Sequence, residues 1–303
     1  MATAITNPTE FEYAGGTVAR EQVSLLRDGL RRLRRNRLAL TAGIYLILLV
    51  VVGLISLVWT PYNPNRIGTC ETYALPGGGH PLGCDDLGRD SLSRLMVGTQ
   101  VSLAVGVATS VIVLLVGVVV GLVAGYFRGP VDAAFSLLIN IFYGVPPLLV
   151  AVALYVLLGA GLVNIIIAIS ATVWMDMARL TRGQALSIRE REFIEAARAG
   201  GARAGKIVFG HILPNALGPI IVQATFVIPV AILTAAFLSF LGFGVPPPRA
   251  DWGGMANEGL PSLQGGFDPY ILLWPALALS ITLLAFNFFG DGLRDAFDPR
   301  QKR

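Results

Sequence analysis

The stretch LMVGTQVSLAVGVATSVIVLLVGVVVGLVAGYF, residues 95–127, contains no Asp, Glu, Lys or Arg. A helix needs roughly 20 apolar residues to cross the hydrocarbon core of a bilayer, so this stretch predicts a membrane span. Four more uncharged stretches of similar character occupy residues 38–65, 133–175, 207–248 and 269–290. Charged residues make up 14% of the 303, against roughly 25% in a soluble domain. The sequence therefore predicts an all-α polytopic membrane protein and excludes an ordinary soluble enzyme.

Two of these stretches are too long for one helix each. Residues 133–175 contain the break Gly159-Ala160-Gly161, which predicts two helices joined by a tight turn. In residues 207–248, prolines at both ends favour a single span between them. The result is six predicted transmembrane helices, at residues 39–60, 100–125, 134–158, 161–180, 219–243 and 270–290.

The basic residues predict the orientation, because Lys and Arg beside a span are kept on the cytoplasmic side. If the Arg-rich tail before the first span is inside, inside segments hold 19 of the 23 basic residues. Both termini are then cytoplasmic. The predicted segments are a cytoplasmic tail 1–38, a first helix 39–60, an extracytoplasmic loop 61–99, a five-helix core 100–290 and a cytoplasmic tail 291–303. The core includes a cytoplasmic loop 181–218 and an extracytoplasmic loop 244–269.

The basic run at residues 31–37 abuts a span, so we expect it to bind anionic membrane lipids rather than nucleic acid. No cleaved signal peptide is expected, because the tail before the first span is long and contains acids such as Glu10 and Glu12.

The two cysteines, Cys70 and Cys84, fall in the same predicted extracytoplasmic loop, where a disulfide is chemically permitted. Two free thiols remain an alternative. A metal cluster with His80 and nearby acids is disfavoured, since the spacing matches no structural zinc pattern, and no metal site is predicted.

The chain lacks the residues of an enzyme. It has no phosphate-binding G-x-x-x-x-G-K-[ST] loop and only two lysines, so it cannot be an ATPase alone. The predicted spans have no ionisable residue near their middle; the nearest, Asp176, Arg179 and Arg182, are placed at the inner end of the fourth. Proton-coupled carriers usually have such residues, so a stand-alone channel or secondary carrier is disfavoured but stays open as an alternative, as does a membrane scaffold.

The loop after the fourth span predicts a short cytoplasmic helix. Ser187 with Glu190 resembles a capping box at its start, and Gly200-Gly201 is a natural stop. An apolar strip is expected on its surface, flanked by Arg191, Glu195 and Arg198, and formed by Phe193, Ile194 and Ala197. Such a helix either lies on the membrane surface or docks into a groove of a soluble partner.

Four segments resemble a known family. Glu195-Ala196-Ala197, then Gly201 and Leu213-Pro214, are similar to the E-A-A-x-x-x-G-x9-I-x-L-P signature of permease subunits of binding-protein-dependent ATP-binding-cassette (ABC) importers, with His211 in place of Ile. The other three segments resemble the C-type subunit of the dipeptide and oligopeptide branch, with Cys84 in place of Thr: HPLGCDDLGRDSLSR at 80–94, LSFLGFG at 238–244 followed by Asp251-Trp252-Gly253, and FNFFGDGLRD at 286–295.

The resemblance implies a type I ABC importer permease fold in the bacterial cytoplasmic (inner) membrane. It implies a second homologous permease, one or two ATPase subunits that bind ATP with Mg, and an extracytoplasmic solute-binding protein. No cofactor is expected on this chain. Peptides are the implied substrates, although relatives carry nickel chelates, haem or glutathione. The residues implied in ATPase coupling are Phe193, Ile194, Glu195, Ala196, Ala197, Arg198, Gly201, Leu213 and Pro214.

Candidate pathway residues are polar side chains or prolines within predicted spans. Polar groups avoid lipid because it offers them no partner, and prolines free carbonyls and bend helices. Packing bonds between helices are an equally good interpretation of each polar residue. The candidates are Asn140, Tyr143, Pro146, Gln223, Pro229 and Asn287.

Overall fold

The computed structural model describes residues 33–266 and 269–297, which form helices and no β-strand. Residues 1–32 of the predicted tail 1–38, with the start of the basic run, and residues 298–303 of the predicted tail 291–303 lie outside the described residues. A π-helical turn, Val208–Ile212, precedes the eighth helix. The helices are α1 Arg37–Ile55, α2 Ser91–Phe127, α3 Gly129–Tyr143, α4 Pro147–Leu158, α5 Leu162–Arg189, α6 Glu192–Ala199, α7 Ala204–Ile207, α8 Leu213–Phe240, α9 Trp252–Glu258, α10 Leu260–Gln264 and α11 Tyr270–Phe297.

Five helical segments are long and apolar enough to cross a membrane: α1, α2, α5, the continuous run Ala204–Phe240, and α11. The α3–α4 pair makes a sixth candidate, but it is bent by 88°. The prediction of one continuous helix at 134–158 is therefore wrong. Pro146 and Pro147 have no N–H to donate, and a residue before proline disfavours the helical conformation, so the helix stops at Tyr143 and restarts at Pro147.

Other helix boundaries also differ from the prediction. The first helix ends at Ile55, and α2 begins at Ser91, where the Asp90 side chain accepts a hydrogen bond from the Ser93 N–H at 2.8 Å. Pro219 and Pro229 lie inside α8 and do not end it. In membrane proteins a helix can continue through proline, because neighbouring helices satisfy the freed backbone groups. The prolines therefore did not mark the start of this helix, as the sequence analysis assumed.

The centre of the bundle is the crossing of α2 and α5, where glycines allow the two backbones to approach. A Cβ atom on Gly117 would lie 2.6 Å from the Met177 Cβ, and one on Gly125 would lie 2.7 Å from the Ala185 Cβ. Gly121 lies between them on the same face. This G-x-x-x-G series produces the close helix packing that its spacing predicts.

The predicted outer loop 61–99 is folded rather than extended. Cys70 and Cys84 are joined by a disulfide with their Cα atoms 6.5 Å apart. Backbone hydrogen bonds from Thr69 to Gly88 (2.9 Å) and from Cys84 to Ala74 (3.0 Å) hold the same turns together. Trp252, buried at the start of α9, packs segment 244–269 against α2.

Candidate coupling helix and pathway surface

Helix α6 is the short helix predicted on the cytoplasmic side, but it begins later than expected. Ser187 lies inside α5, and the residue preceding α6 is Arg191, which makes no side-chain cap. The capping-box prediction is therefore wrong. Helix α5 continues because Thr181, Ala185 and Ile188 extend its buried face, and that packing outweighs the local preference of Ser187.

The predicted apolar strip divides into a buried part and an exposed part. Ile194 is 0% exposed and belongs to the same core cluster as Ile188, Ile207 and Ile212. Phe193 is 41% exposed, and its ring centroid lies 6.5 Å from that of His211. Ile194 is therefore unavailable to a partner protein, which corrects its expected place on the docking surface.

The outward face of α6 is mainly polar. Its residues Glu192, Glu195, Ala196 and Arg198 are exposed, and Ala197 is half-buried. Acidic residues in the first turn and Arg198 in the last turn interact favourably with the helix dipole. Among the described residues Glu195 makes no hydrogen bond or ion pair, so its carboxylate is free to bind an external donor.

Gly201 ends α6 in a conformation that few other residues adopt. Its φ is +79°, its N–H donates to the Arg198 carbonyl at 3.0 Å, and the Ala202 N–H donates to the Ala197 carbonyl at 3.0 Å. These two bonds define a Schellman motif with glycine in the left-handed position. The chain thereby reverses into α7 within two residues.

The segment that contains α6 is tied to the long helices at both ends. At its start, Glu190 pairs with Arg128, and the Arg189 Nη1 donates to the Tyr126 carbonyl at 2.5 Å, which joins the end of α5 to the end of α2. At its other end the π-helical turn leads into Leu213, half-buried, and Pro214, exposed in the first turn of α8. Sequence reasoning missed both of these pairings, because the partners are about 60 residues apart in the chain.

Three of the pathway candidates lie together at the α3–α4 break. Asn140, Tyr143 and Pro146 are exposed there. The Tyr143 hydroxyl donates to the Asp176 carboxylate, and the Arg179 guanidinium lies 4.3 Å from the centre of the Tyr143 ring. Because α5 continues to Arg189, Asp176 lies in the middle of this helix, and the helix extends thirteen residues beyond it.

The other pathway candidates are dispersed. Gln223 lines a cavity of about 450 Å³ together with Leu180 and Arg294. Pro229 is buried inside α8. Asn287 is exposed on α11 and donates to the carbonyl of Leu283 in its own helix at 2.8 Å. The structure therefore does not gather the six candidates into one site.

A buried ionic cluster joins segment 61–99 to segment 244–269. The Glu258 Oε2 lies 2.5 Å from the Arg94 Nη2 and 3.1 Å from the Arg89 Nη2, while Asp85 accepts from the Arg89 Nε at 2.6 Å. Burial raises the pKa of Glu258 against the opposing effect of the two arginines, and burial likewise raises the pKa of Asp251. The acidic side chains of this cluster lie against arginines, and Cys70 and Cys84 are bonded to each other. Together these groups form a structural clamp between segment 61–99 and segment 244–269.

The sequence matches two family models. Residues 117–303 match the family described as "Binding-protein-dependent transport system inner membrane component", and residues 24–74 match "N-terminal TM domain of oligopeptide transport permease C".

Curated relatives cover nearly the whole chain. The dipeptide transport system permease protein DppC of Bacillus subtilis (strain 168) is 42% identical over 287 residues, which cover 95% of this chain and 89% of the relative. The oligopeptide transport system permease protein OppC of the same strain is 40% identical over 286 residues, covering 94% and 93%. The glutathione transport system permease protein GsiD of Escherichia coli O157:H7 is 41% identical over 273 residues, covering 90% and 89%.

A solved structure agrees on the fold. A chain from the inward-facing MetNI methionine ABC transporter superposes with a TM-score of 0.57 at 23% identity, covering 67% of this chain and 96% of that one. At this identity the likeness supports the fold alone. Together with the sequence matches it confirms the resemblance: the chain belongs to the family of inner-membrane permease components of binding-protein-dependent transport systems.

Proposed function

We propose that this chain is the C-type permease subunit of an ATP-driven importer for dipeptides and oligopeptides. The observation that carries the proposal is 40–42% identity over nearly the whole length to permeases named for dipeptide and oligopeptide transport. The glutathione permease is as similar, so glutathione, itself a small peptide, is the second candidate substrate. The chain forms half of the pathway in this proposal, and a homologous permease forms the other half.

The proposed topology has six spans, both termini in the cytoplasm and a location in the bacterial inner membrane. The bent α3–α4 pair counts as one span. The distribution of basic residues supports this orientation. It places α6 inside, and it places the disulfide and the Glu258 cluster outside, where the binding protein would dock on segments 61–99 and 244–269.

Helix α6 would dock in a cleft of an ATPase subunit and transmit its movement. Partner ATPases, of one kind or two, would bind ATP with Mg, and this chain would carry no cofactor. The exposed Phe193, Glu195, Ala196 and Arg198 would contact the ATPase, whereas the buried Ile194 would make α6 move together with α5 and α8. Gly201, Leu213 and Pro214 would position the helix. Residues 195–201 are thus the proposed coupling element.

The pathway is proposed to run beside the α3–α4 break. Exposed polar groups at Asn140 and Tyr143 and the freed carbonyls near Pro146 support this location. Gln223 would lie near the inner mouth, in the cavity with Arg294. Pro229 would act through the shape of α8, and Asn287 is the weakest candidate, since its amide already binds its own helix.

The test is to extract the tagged chain from its native membrane in mild detergent and to assay co-purifying proteins, ATP hydrolysis and, after reconstitution with the binding protein, peptide uptake. We expect a second permease and ATPase subunits in stoichiometric amount. A chain that purifies alone in several detergents and conducts solutes without ATP would instead support the channel or secondary-carrier alternative.

A further inference from the structure

Asp176 and Arg179 are two exposed charges in the second half of α5, a helix long and apolar enough to cross a membrane. Asp176 is the fifteenth of the 28 residues of α5, about 21 Å from its outer end at 1.5 Å per residue. The residues before it, 162–175, contain no charge. Both side chains nevertheless lie on the surface of the chain. A charge at this depth avoids lipid and faces protein or water.

Neither charge has an ionic partner in the described residues. Arg182, one turn further along α5, is held by two hydrogen bonds to Asp132 of α3, at 2.5 and 2.8 Å. Asp176 accepts only the Tyr143 hydroxyl, and Arg179 only stacks on the Tyr143 ring. One carboxylate oxygen and all the guanidinium donors therefore remain for another group.

The irregular backbone beside Tyr143 indicates that this surface contacts water or a ligand rather than lipid. Gly144, Val145 and Pro146, between α3 and α4, are exposed beside Tyr143. Pro147 has no N–H to donate to the Tyr143 carbonyl. Irregular backbone at membrane depth is tolerated where it is covered by protein or lines a wet cavity.

We propose that Asp176, Arg179 and Tyr143 form a transient binding site for the two charged ends of a short peptide. Asp176 would accept the α-ammonium group, and Arg179 would bind the α-carboxylate through its forked donors. Side chains three residues apart on a helix have Cβ atoms about 5–6 Å apart. The ends of an extended dipeptide lie about 7 Å apart, which fits that spacing. The inference rests on the proposed peptide transport and names its substrate contacts.

The first test measures maximal uptake into proteoliposomes by the complete importer at saturating, peptide-loaded binding protein. A dipeptide with free ends is compared with its N-acetylated and C-amidated forms. Loss of one charged hydrogen bond typically corresponds to about a tenfold change or more. We expect Asp176→Asn to slow the free dipeptide about tenfold and the N-acetylated form less than twofold. Likewise, Arg179→Gln is expected to slow the free dipeptide about tenfold and the C-amidated form less than twofold.

The matched control is Ser187→Ala, an uncharged exposed position on the same side of α5, which is expected to transport like wild type. Equal losses for all three peptides would overturn the proposal and would assign the charges to pairing with the second permease. Unchanged rates would overturn it as well. If the wild-type importer moves no peptide, the proposed function itself fails, which is a separate result.

A second test does not need the binding protein to accept blocked peptides. Gly183 lies two turns beyond Asp176 on the same exposed side, and a Cβ there would meet no atom within 4 Å. The chain's two cysteines are bonded to each other, so Gly183→Cys adds a single free thiol. In the assembled complex, millimolar dipeptide is expected to slow its alkylation by a water-soluble maleimide at least threefold, and Asp176→Asn is expected to abolish that protection. Equal alkylation with and without dipeptide would contradict the site.

Discussion

The Glu258 carboxylate contacts the Arg94 guanidinium at 2.5 Å, across 164 residues of sequence. The same oxygen also accepts from Arg89 at 3.1 Å. One acid of segment 244–269 thereby binds Arg89 of segment 61–99 and Arg94 of α2. Arg94 is 2% exposed, and a buried arginine is costly unless it is paired. Glu258 therefore supplies an ionic link between segment 244–269 and segment 61–99.

Replacing Glu258 by Gln is expected to destabilise the assembled permease. Gln carries an NH2 group in place of one acceptor oxygen, so Arg89 and Arg94 lose hydrogen-bond acceptor capacity, and leaving a buried donor unsatisfied costs about 1–3 kcal/mol. The measurement is the thermal unfolding midpoint of the purified complex. Asp86→Asn is the control, because Asp86 is more exposed and lies 3.4 Å from Arg89. A larger fall in the unfolding midpoint for Asp86→Asn than for Glu258→Gln would contradict the structural role of Glu258.

The stability difference between wild type and Glu258→Gln is expected to depend on pH. Burial raises the pKa of Glu258 in the folded state above its ordinary value of 4.5. The folded state then binds the proton more tightly, so protonation adds stability that is complete below 4.5 and is lost as pH rises through the folded pKa. Gln cannot take up a proton. The deficit of Glu258→Gln should therefore grow as pH falls from 7 towards 4.5; a deficit that shrinks over this range would refute the raised pKa.

Local sequence signals located several parts of this fold. Gly159 and Gly161 mark the end of α4 and the start of α5, and Gly201 marks the end of α6, because each needs a backbone conformation that glycine adopts most easily. The spacing of the glycines at 117, 121 and 125 likewise predicts close helix packing, and the structure shows that the partner helix is α5. Each of these signals lies within a few residues of sequence, so it can be recognised without knowledge of the three-dimensional structure.

Contacts between segments that are far apart in the sequence could not be predicted from local sequence signals. The face of α6 that packs against its own chain depends on the return of α7 and α8, which bring Ile207 and Ile212 to Ile194. Likewise, nothing near Asp176 shows that α5 continues for thirteen more residues. The charges at Asp176 and Arg179 mark the end of the predicted span, but the helix itself continues beyond them because its buried face stays packed.

Ile194 and Phe193 are expected to respond differently to substitution by Ala. Ile194 is buried, and truncation of such a side chain costs about 2–5 kcal/mol, so Ile194→Ala should lower the unfolding midpoint of the permease. Phe193 is exposed, and Phe193→Ala should leave the midpoint nearly unchanged while ATPase subunits are lost during purification. Both quantities can be measured on the same preparations. The opposite pattern would restore Ile194 to the docking surface.

Breaking the Cys70–Cys84 bond is expected to loosen the outer loop. In the simple chain-entropy model, closing a loop of about 15 residues contributes about 3 kcal/mol. A Cys70→Ser, Cys84→Ser double variant should therefore expose residues 61–90 to protease at lower temperature than wild type, while digestion of the cytoplasmic loop stays the same. Equal protease resistance of the outer loop in both proteins would show that backbone hydrogen bonds alone maintain it.

Gly201→Ala is expected to weaken coupling without unfolding the membrane helices. At φ +79° an alanine is strained by roughly 1–2 kcal/mol, which favours a different exit from α6 and a shifted docking face. Gly201→Asn should be milder, because asparagine tolerates this conformation better. The measurement is the number of peptides imported per ATP hydrolysed. Gly205→Ala is the control, since its added Cβ meets no atom within 4 Å and its φ is not positive. If Gly201→Ala and Gly205→Ala give the same ratio as wild type, the left-handed turn is not needed for coupling, and the role of this glycine lies elsewhere.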